Sequence, residues 1–334
     1  MPFNRKVILK SHPRGPVGLD NFDMVEEEIQ PLRAGTVCVR VDHLSIDAFI
    51  RTTLDGGGFH QSAKLGGVIP ALGVGTVVDS ADPSLVVGEI VTGPMCSQTH
   101  AVLPAAMCAK VDVTLAPATA FLGALSIATG LTSYVGMKYV ARITGGETVV
   151  VSGAAGAVGS LAGQVARLLG AGRVIGIAGG PDKCRFLVDE LGFDDAIDYK
   201  KVDVAAELAQ LAPNGVDVFW DNVGGEVLDA VLLNLAVEAR VVLCGAVSQY
   251  ENMADVRGPK NYLKIAERDA RLLGFTIFHY PDRHAEATAV MADWLAKGKI
   301  VVREHVEHGL ERFPAAVRAL LDGGNTGKFL LKVD

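Results

Sequence analysis

Three glycines spaced three apart, Gly153, Gly156 and Gly159, lie between the β-branched run Val149-Val150-Val151 and a segment of helical periodicity starting at Ala157. A strand-to-helix turn with this spacing can bind a diphosphate. Gly153 and Gly156 permit a tight turn and close approach of the backbone to the anion, with Ala155, Ala157 and Val158 in the same turn. Gly159 lets the helix pack on the strand, and the helix N-terminus offers its free N–H groups. The preceding strand, the helix and the following strand are all present, which is the context the glycine pattern needs. A turn needing glycine for shape alone is the rival reading.

The end of the next strand distinguishes one dinucleotide from another. A carboxylate there would hold a ribose 2′-hydroxyl. Instead, Ile177 is followed by Ala178-Gly179-Gly180-Pro181, with Lys183 and Arg185 just beyond. Cations without the acid favour a 2′-phosphate, hence NADP(H), although Lys183 and Arg185 could also merely solvate a helix start. Asp182 is open to two readings, a helix N-cap or a displaced ribose ligand.

Other chemistries lack their residues. The five cysteines, Cys38, Cys96, Cys108, Cys184 and Cys244, include no C-x-x-C pair. Only Cys96, His100 and Cys108 cluster, and no His-Glu pair lies near residues 66 to 75, so no zinc site is expected. No G-x-S-x-G elbow occurs, and Ser126 and Ser133 lack a triad-like context. His43, His60 and His279 lack metal spacing.

The elements that must position the turn follow an α/β rhythm. From Glu147, short apolar runs alternate with amphipathic segments. Strands are expected at 147–152, 173–178, 195–199, 216–222, 239–246 and 272–278. Helices are expected at 157–169, 182–191, 204–211, 226–235 and around 262–268. Six strands with intervening helices imply a doubly wound parallel sheet of Rossmann type. The region before about residue 120 is strand-rich and barrel-like, with strands at 37–43, 73–78 and 89–92 and a Gly56-Gly57-Gly58 loop. The tail reads as a helix at 284–297, an extended piece at 300–305, a helix at 313–321 and a strand at 328–333. On pattern alone, the change of rhythm falls near residue 120.

The chain of 334 residues, 49% apolar and 21% charged, can bury two cores. A net charge of −7 does not suit nucleic acid or an anionic membrane as a main partner. The first ten residues have no signal-peptide core, and no apolar stretch reaches membrane-spanning length. A soluble cytoplasmic protein is expected, with its thiols reduced.

The sequence resembles the zinc-free medium-chain dehydrogenase/reductases, in particular the NADP-dependent alkenal, curcumin and prostaglandin reductases. The resemblance spans essentially the whole chain. It is carried by residues 44–51, Gly130-Leu131-Thr132-Ser133-Tyr134, Glu147 to Ser160, Ile177 to Lys183, Asp198-Tyr199-Lys200, Asp221-Asn222-Val223-Gly224-Gly225, Gly245 to Tyr250 and Asn325-Thr326-Gly327-Lys328. It implies a GroES-like β-barrel catalytic domain built from both chain ends, 1–122 completed by 301–334, an inserted Rossmann domain, 123–300, and a homodimer. It puts Lys183 and Tyr199, beside Gly179, on the 2′-phosphate. It puts Asn222 and Asn325 near the nicotinamide, with Cys244, Gly245, Ser248 and Gly327 along the cofactor. Tyr250 is placed at the mouth of the site, near a substrate carbonyl.

Two departures fall on the expected pocket wall. The family's Asp-Pro-Tyr-Met-Arg is here Asp47-Ala48-Phe49-Ile50-Arg51, which loses a phenol. Its Gly-Met-Pro before Gly-Leu-Thr is replaced within Ser126-Ile127-Ala128-Thr129. Phe49, Arg51, Thr129 and Tyr134 are therefore the expected pocket residues. Arg51 has an alternative role, anchoring a loop through a carboxylate, and Tyr134 an alternative role in packing. The activity implied is NADPH-dependent reduction of the carbon–carbon double bond of α,β-unsaturated ketones or aldehydes. In it, Tyr250 donates to the oxygen on which charge develops, unless it is an interface or core aromatic. A quinone reductase, a zinc-independent alcohol dehydrogenase and a non-catalytic NADPH-binding module are the alternatives.

Overall fold

The computed structural model describes residues 3–55 and 62–333. Gly56-Gly57-Gly58 and His60 lie outside the described residues. The chain divides into two compact units, one made of residues up to Leu122 together with those from Glu304 on, the other running Gly123–Arg303.

The second unit is built on a six-stranded parallel sheet. In chain order its strands are Thr148–Ser152, Arg173–Ala178, Asp195–Asp198, Val216–Asp221, Leu235–Leu243 and Arg271–Gly274. Across the sheet they lie third, second, first, fourth, fifth, sixth. That is the doubly wound order, in which the chain reverses direction beside its first strand. Val149, Val150 and Val151 are fully buried, as strands covered on both faces must be. Val150 pairs with Ile175 on one side and Phe219 on the other. The helix Ala157–Leu168 follows the first strand. It lies so close to its neighbours that a Cβ on Gly163 would sit 2.0 Å from the Phe193 ring. Val204–Leu211 begins at Asp203, whose carboxylate accepts from the Ala206 N–H at 2.7 Å.

Several boundaries differ from the sequence expectation. The helix expected at 182–191 is Pro181–Arg185 followed by a π-helical turn, Phe186–Glu190. Phe186 and Leu187 are buried there, so tertiary packing sets the wider winding. The strand expected at 239–246 runs Leu235–Leu243, and residues after it form a 3₁₀ segment, Val247–Asp255. In the piece expected to be extended, 300–305, Val301 bonds through its own N–H and C=O to the buried Gln164 side chain, at 2.7 and 2.9 Å, and the strand itself is Glu304–His308.

The first unit carries a seven-stranded sheet in which Thr36–Ile46 is central. Gly73–Ser80, His100–Pro104 and Lys328–Lys332 all pair with it antiparallel. The C-terminal strand thus completes a sheet begun near the N-terminus. An antiparallel pair that sequence reasoning missed, Phe3–Leu9 with Phe22–Glu28, opens the unit. Its second strand has no apolar alternation to betray it, since six of its seven residues are exposed. The helix Phe313–Leu321 buries Phe313, Ala316 and Val317 in this core. Among the described residues, no helix is long and apolar enough to cross a membrane.

Candidate functional site

The glycine turn has the geometry its spacing requires. Gly153 takes φ +56°, a left-handed conformation that favours glycine. A Cβ on Gly159 would stand 2.3 Å from the Gly153 carbonyl oxygen and 2.8 Å from the Ala154 Cα. Only hydrogen fits there, so Gly159 lets the helix close on the turn. Gly156 is the extended N-cap, with no side chain capping the helix. The first-turn N–H groups are left to an anion. Gly156, Ala157 and Val158 are half-exposed, whereas Ala155 is buried.

Beyond the second strand, Gly180 is at φ +100° and serves as N-cap of Pro181–Arg185. Asp182 is therefore not the N-cap. It lies in the first turn, exposed, and pairs with Arg185. That pairing also engages the Arg185 guanidinium on the surface. Lys183 is half-buried, and loss of hydration together with the charge of Lys200 lowers its ammonium below the usual lysine range. A Cβ on Gly179 would meet Lys200 Cε and the Tyr199 ring, each at 2.9 Å. Gly179 thus lets Tyr199 and Lys200 fold over the strand end. Asp198 accepts from the N–H groups of Gly180 at 2.8 Å and Lys200 at 3.1 Å, so that carboxylate secures the loop. Two ammonium groups and a phenol gather here. Lys200 is the member sequence reasoning did not single out, although it stands next to Tyr199.

At the sheet's centre the polar groups are buried and tied together. Asp221 is 0% exposed. It accepts from Ser152 Oγ at 2.7 Å, Val223 N at 3.0 Å and Gly224 N at 3.0 Å to each oxygen. Burial raises its carboxyl, while these bonds pull the other way. Asn222 Nδ2 donates to Ser152 O at 2.7 Å, and Asn222 Oδ1 accepts from Trp220 Nε1 at 3.1 Å. The Asn222 side chain is thus a clamp between strand ends. Ser248 Oγ donates to Val223 O at 2.6 Å. Burial and the nearby Asp221 carboxylate push the Cys244 thiol up to about 12. Tyr250 Oη accepts from the Ala246 N–H at 3.2 Å and lies 3.2 Å from where a Gly245 Cβ would be. Because the oxygen accepts there, its proton remains available for another acceptor. Burial, foremost, then Cys244 and Asp221, raise the phenol, against the pull of the Ala246 bond.

The remaining expected residues are distributed as follows. Thr129 is 1% exposed, and its Oγ1 has no hydrogen-bond partner among the described residues. Tyr134 is 2% exposed and donates to Glu286 Oε1 at 2.8 Å, with Lys138 Nζ donating to its oxygen at 2.8 Å. Its ring meets Trp294 edge-on at 5.7 Å. These partners all lie in the second unit and make Tyr134 a packing residue of that core. In the first unit, Phe49 packs against the core cluster. Arg51, 1% exposed, donates to Asp55 at 2.8 Å and to the Gly15 carbonyl at 3.2 Å, which is the loop-anchoring role. Asn325 is buried and donates to Gly327 O at 2.9 Å, with Gly327 at φ +76°. Lys328 is buried against Asp47 at 2.5 Å. No group of three or more His, Cys, Asp or Glu side chains among the described residues could hold a metal ion.

Comparison with known proteins adds to this geometry. A family described as the N-terminal domain of oxidoreductase matches residues 5–111, and one described as zinc-binding dehydrogenase matches 157–297. The chain is 34% identical to an NADP(+)-dependent 2-alkenal reductase of Nicotiana tabacum, over 99% of this chain and 97% of the relative. It is also 34% identical to an NADPH-dependent curcumin reductase of Escherichia coli, with the same two shares. The structure of CurA in complex with NADPH from Vibrio vulnificus superposes with a TM-score of 0.92 at 35% identity, covering 99% of both chains. The chain belongs to the medium-chain dehydrogenase/reductase family, within its group of NADP-dependent alkenal, curcumin and prostaglandin reductases.

Proposed function

We propose that this protein reduces the carbon–carbon double bond of α,β-unsaturated ketones or aldehydes with NADPH. The observation that carries the reading is the pairing, in one unit, of an uncapped helix N-terminus behind Gly153 with the Lys183, Tyr199 and Lys200 rim beside Gly179. The donor set fits the cofactor. The helix terminus and the residues Gly153, Ala155, Gly156, Ala157, Val158 and Gly159 would take the diphosphate. The rim would take the 2′-phosphate, where ammonium groups and a phenol suit a dianion. Asn222, Cys244, Gly245 and Ser248 would line the cofactor further along. From the first unit, Asn325 and Gly327 are proposed as cofactor contacts, and Phe49 and Arg51 as substrate-side residues. In the second unit, Thr129 and Tyr134 are proposed as substrate-side residues.

Bound NADPH supplies the hydride that adds to the β-carbon. The protein's task is to place the enone and meet the charge that develops on its oxygen. Tyr250 keeps its proton at neutral pH and donates a hydrogen bond to that oxygen, lowering the barrier. The α-carbon then takes a proton from Tyr250 or from water, which completes the saturated carbonyl product.

The reading includes a homodimer in the cytoplasm. The strand Arg271–Gly274 is an open sheet edge with Leu272 40% exposed, and Tyr262, Leu263 and Phe278 are exposed near it in sequence. Such an edge calls for a cover. Five free thiols suit a reducing compartment. The test follows loss of NADPH absorbance with an enone, a quinone and a saturated ketone in parallel. Turnover with the enone above the other two supports the reading. Preferential turnover of the quinone or ketone replaces it with the corresponding rival, and tight NADPH binding with no turnover makes the protein a binding module.

A further inference from the structure

The reaction as derived leaves the buried carboxyl group of Asp221 unused. Burying a carboxylate costs several kcal/mol unless each lone pair is met. Here every bond is donated to it, and none needs a proton from it. Ser152 Oγ accepts the Asn222 N–H at 2.8 Å, so its own proton goes to Asp221 at 2.7 Å. The other donors are main-chain N–H groups. An ionised carboxylate satisfies this set, whereas an amide in either orientation turns its NH2 toward the Gly224 N–H.

The same residue joins three strands. Ser152 ends the strand that feeds the glycine turn. Asp221 ends its neighbour, and its main-chain carbonyl accepts from Cys244 N at 2.9 Å and Gly245 N at 3.1 Å, just past the next strand. Val247 N in turn bonds the Asn222 carbonyl at 3.1 Å. The Cys244–Val247 turn carries Ala246, the residue that holds Tyr250 Oη. A continuous set of bonds therefore runs from the Asp221 carboxylate to the phenol.

We propose that Asp221 is a positioning residue for the reaction, its buried carboxylate fixing the Asn222–Gly224 turn and, through the adjoining main chain, the hydroxyl of Tyr250. This rests on the reading of Tyr250 as the donor to substrate. It differs from a general stabilising role in acting through one side chain. The titratable groups facing the phenol are Cys244 and Asp221, and both hold its proton on more tightly.

The test compares Asp221→Asn, Tyr250→Phe and the double variant in NADPH oxidation with an enone, with folding checked by circular dichroism. Asp221→Asn is expected to lower kcat about 10- to 100-fold. The dissociation constant for NADPH should rise by a smaller factor than kcat falls, because the 2′-phosphate rim lies on other strand ends. The alkaline limb of its kcat profile should move to lower pH, since removing a negative neighbour eases loss of the phenol proton. In the Tyr250→Phe background the same substitution should cost much less than it does alone. Additive losses, or an unmoved alkaline limb, would overturn the proposal while leaving Tyr250 as the donor. Full activity of Tyr250→Phe would remove the reading on which it rests. If Asp221→Asn does not fold, Ser152→Ala removes two bonds of the same set, one given to Asp221 and one taken from the Asn222 N–H. It is expected to lower kcat in the same direction, and unchanged kcat would count against the proposal.

Discussion

The outer rim of the parallel sheet and its centre solve different problems in different ways. At the rim, Lys183, Tyr199 and Lys200 are half-buried or exposed and are gathered by glycines and by Asp198. At the centre, Ser152, Asp221 and Asn222 have their polar atoms committed to one another and to the main chain. Charge recognition needs only cations with room to reach, and it can be changed by single substitutions. Orientation needs groups that cannot move, which requires burial and complete hydrogen bonding. Damage at the rim should therefore appear in cofactor affinity and choice, and damage at the centre in turnover.

The largest effect is expected in the glycine turn, where the helix closes on the first strand. Gly159→Val would drive a side chain into the Gly153 carbonyl and the Ala154 backbone. Overpacking of about 1–3 kcal/mol concentrated on the diphosphate turn is expected to weaken NADPH binding about 100-fold, as read by fluorescence titration. A smaller and more selective effect is expected at the rim. Lys183→Ala with Lys200→Ala should raise the dissociation constant for NADPH about 10- to 100-fold, the scale of lost charge-assisted bonds. Affinity for NADH should scarcely change. Equal losses for both dinucleotides would erase the distinction between rim and centre.

The smallest effect lies outside both regions and calibrates them. Lys138, Tyr139 and Tyr134 bond Glu286 and hold its carboxyl down at about 2. A depressed carboxyl stabilises the fold above its unfolded value, and that stability is lost as pH falls from about 4.5 toward 2. The pair is partly exposed, so its worth is at most about 1 kcal/mol. Glu286→Gln should lower the melting temperature at neutral pH by about 2 °C. The difference from the parent should shrink at acid pH.

How much of this could be read beforehand depended on the kind of signal. The strand–helix alternation and the glycine turn were legible because local pattern dictates them. Arg173–Ala178, Val204–Leu211 and Phe313–Leu321 fall where periodicity puts them. The Phe22–Glu28 strand was not legible, because its pairing is set by Phe3–Leu9 and not by its own composition. The Val247–Asp255 segment has no strong periodicity, and its path follows from bonds to Asn222 and Val223. Asp182 read plausibly as a cap, yet Gly180 at positive φ takes that place. Asp221 drew notice only as part of a motif, since nothing in a sequence says that a carboxylate is fully buried. Lys200 was adjacent to a chosen residue and became distinct only when the Gly179 contact was seen.

The central claim is that hydride reaches the β-carbon of an enone, and it is tested most directly with NADPH carrying deuterium at C4. The product of a simple enone is examined by proton and deuterium NMR. The expected product is a saturated ketone with deuterium on the β-carbon and the carbonyl intact. Deuterium on a carbinol carbon, with the double bond retained, would contradict it.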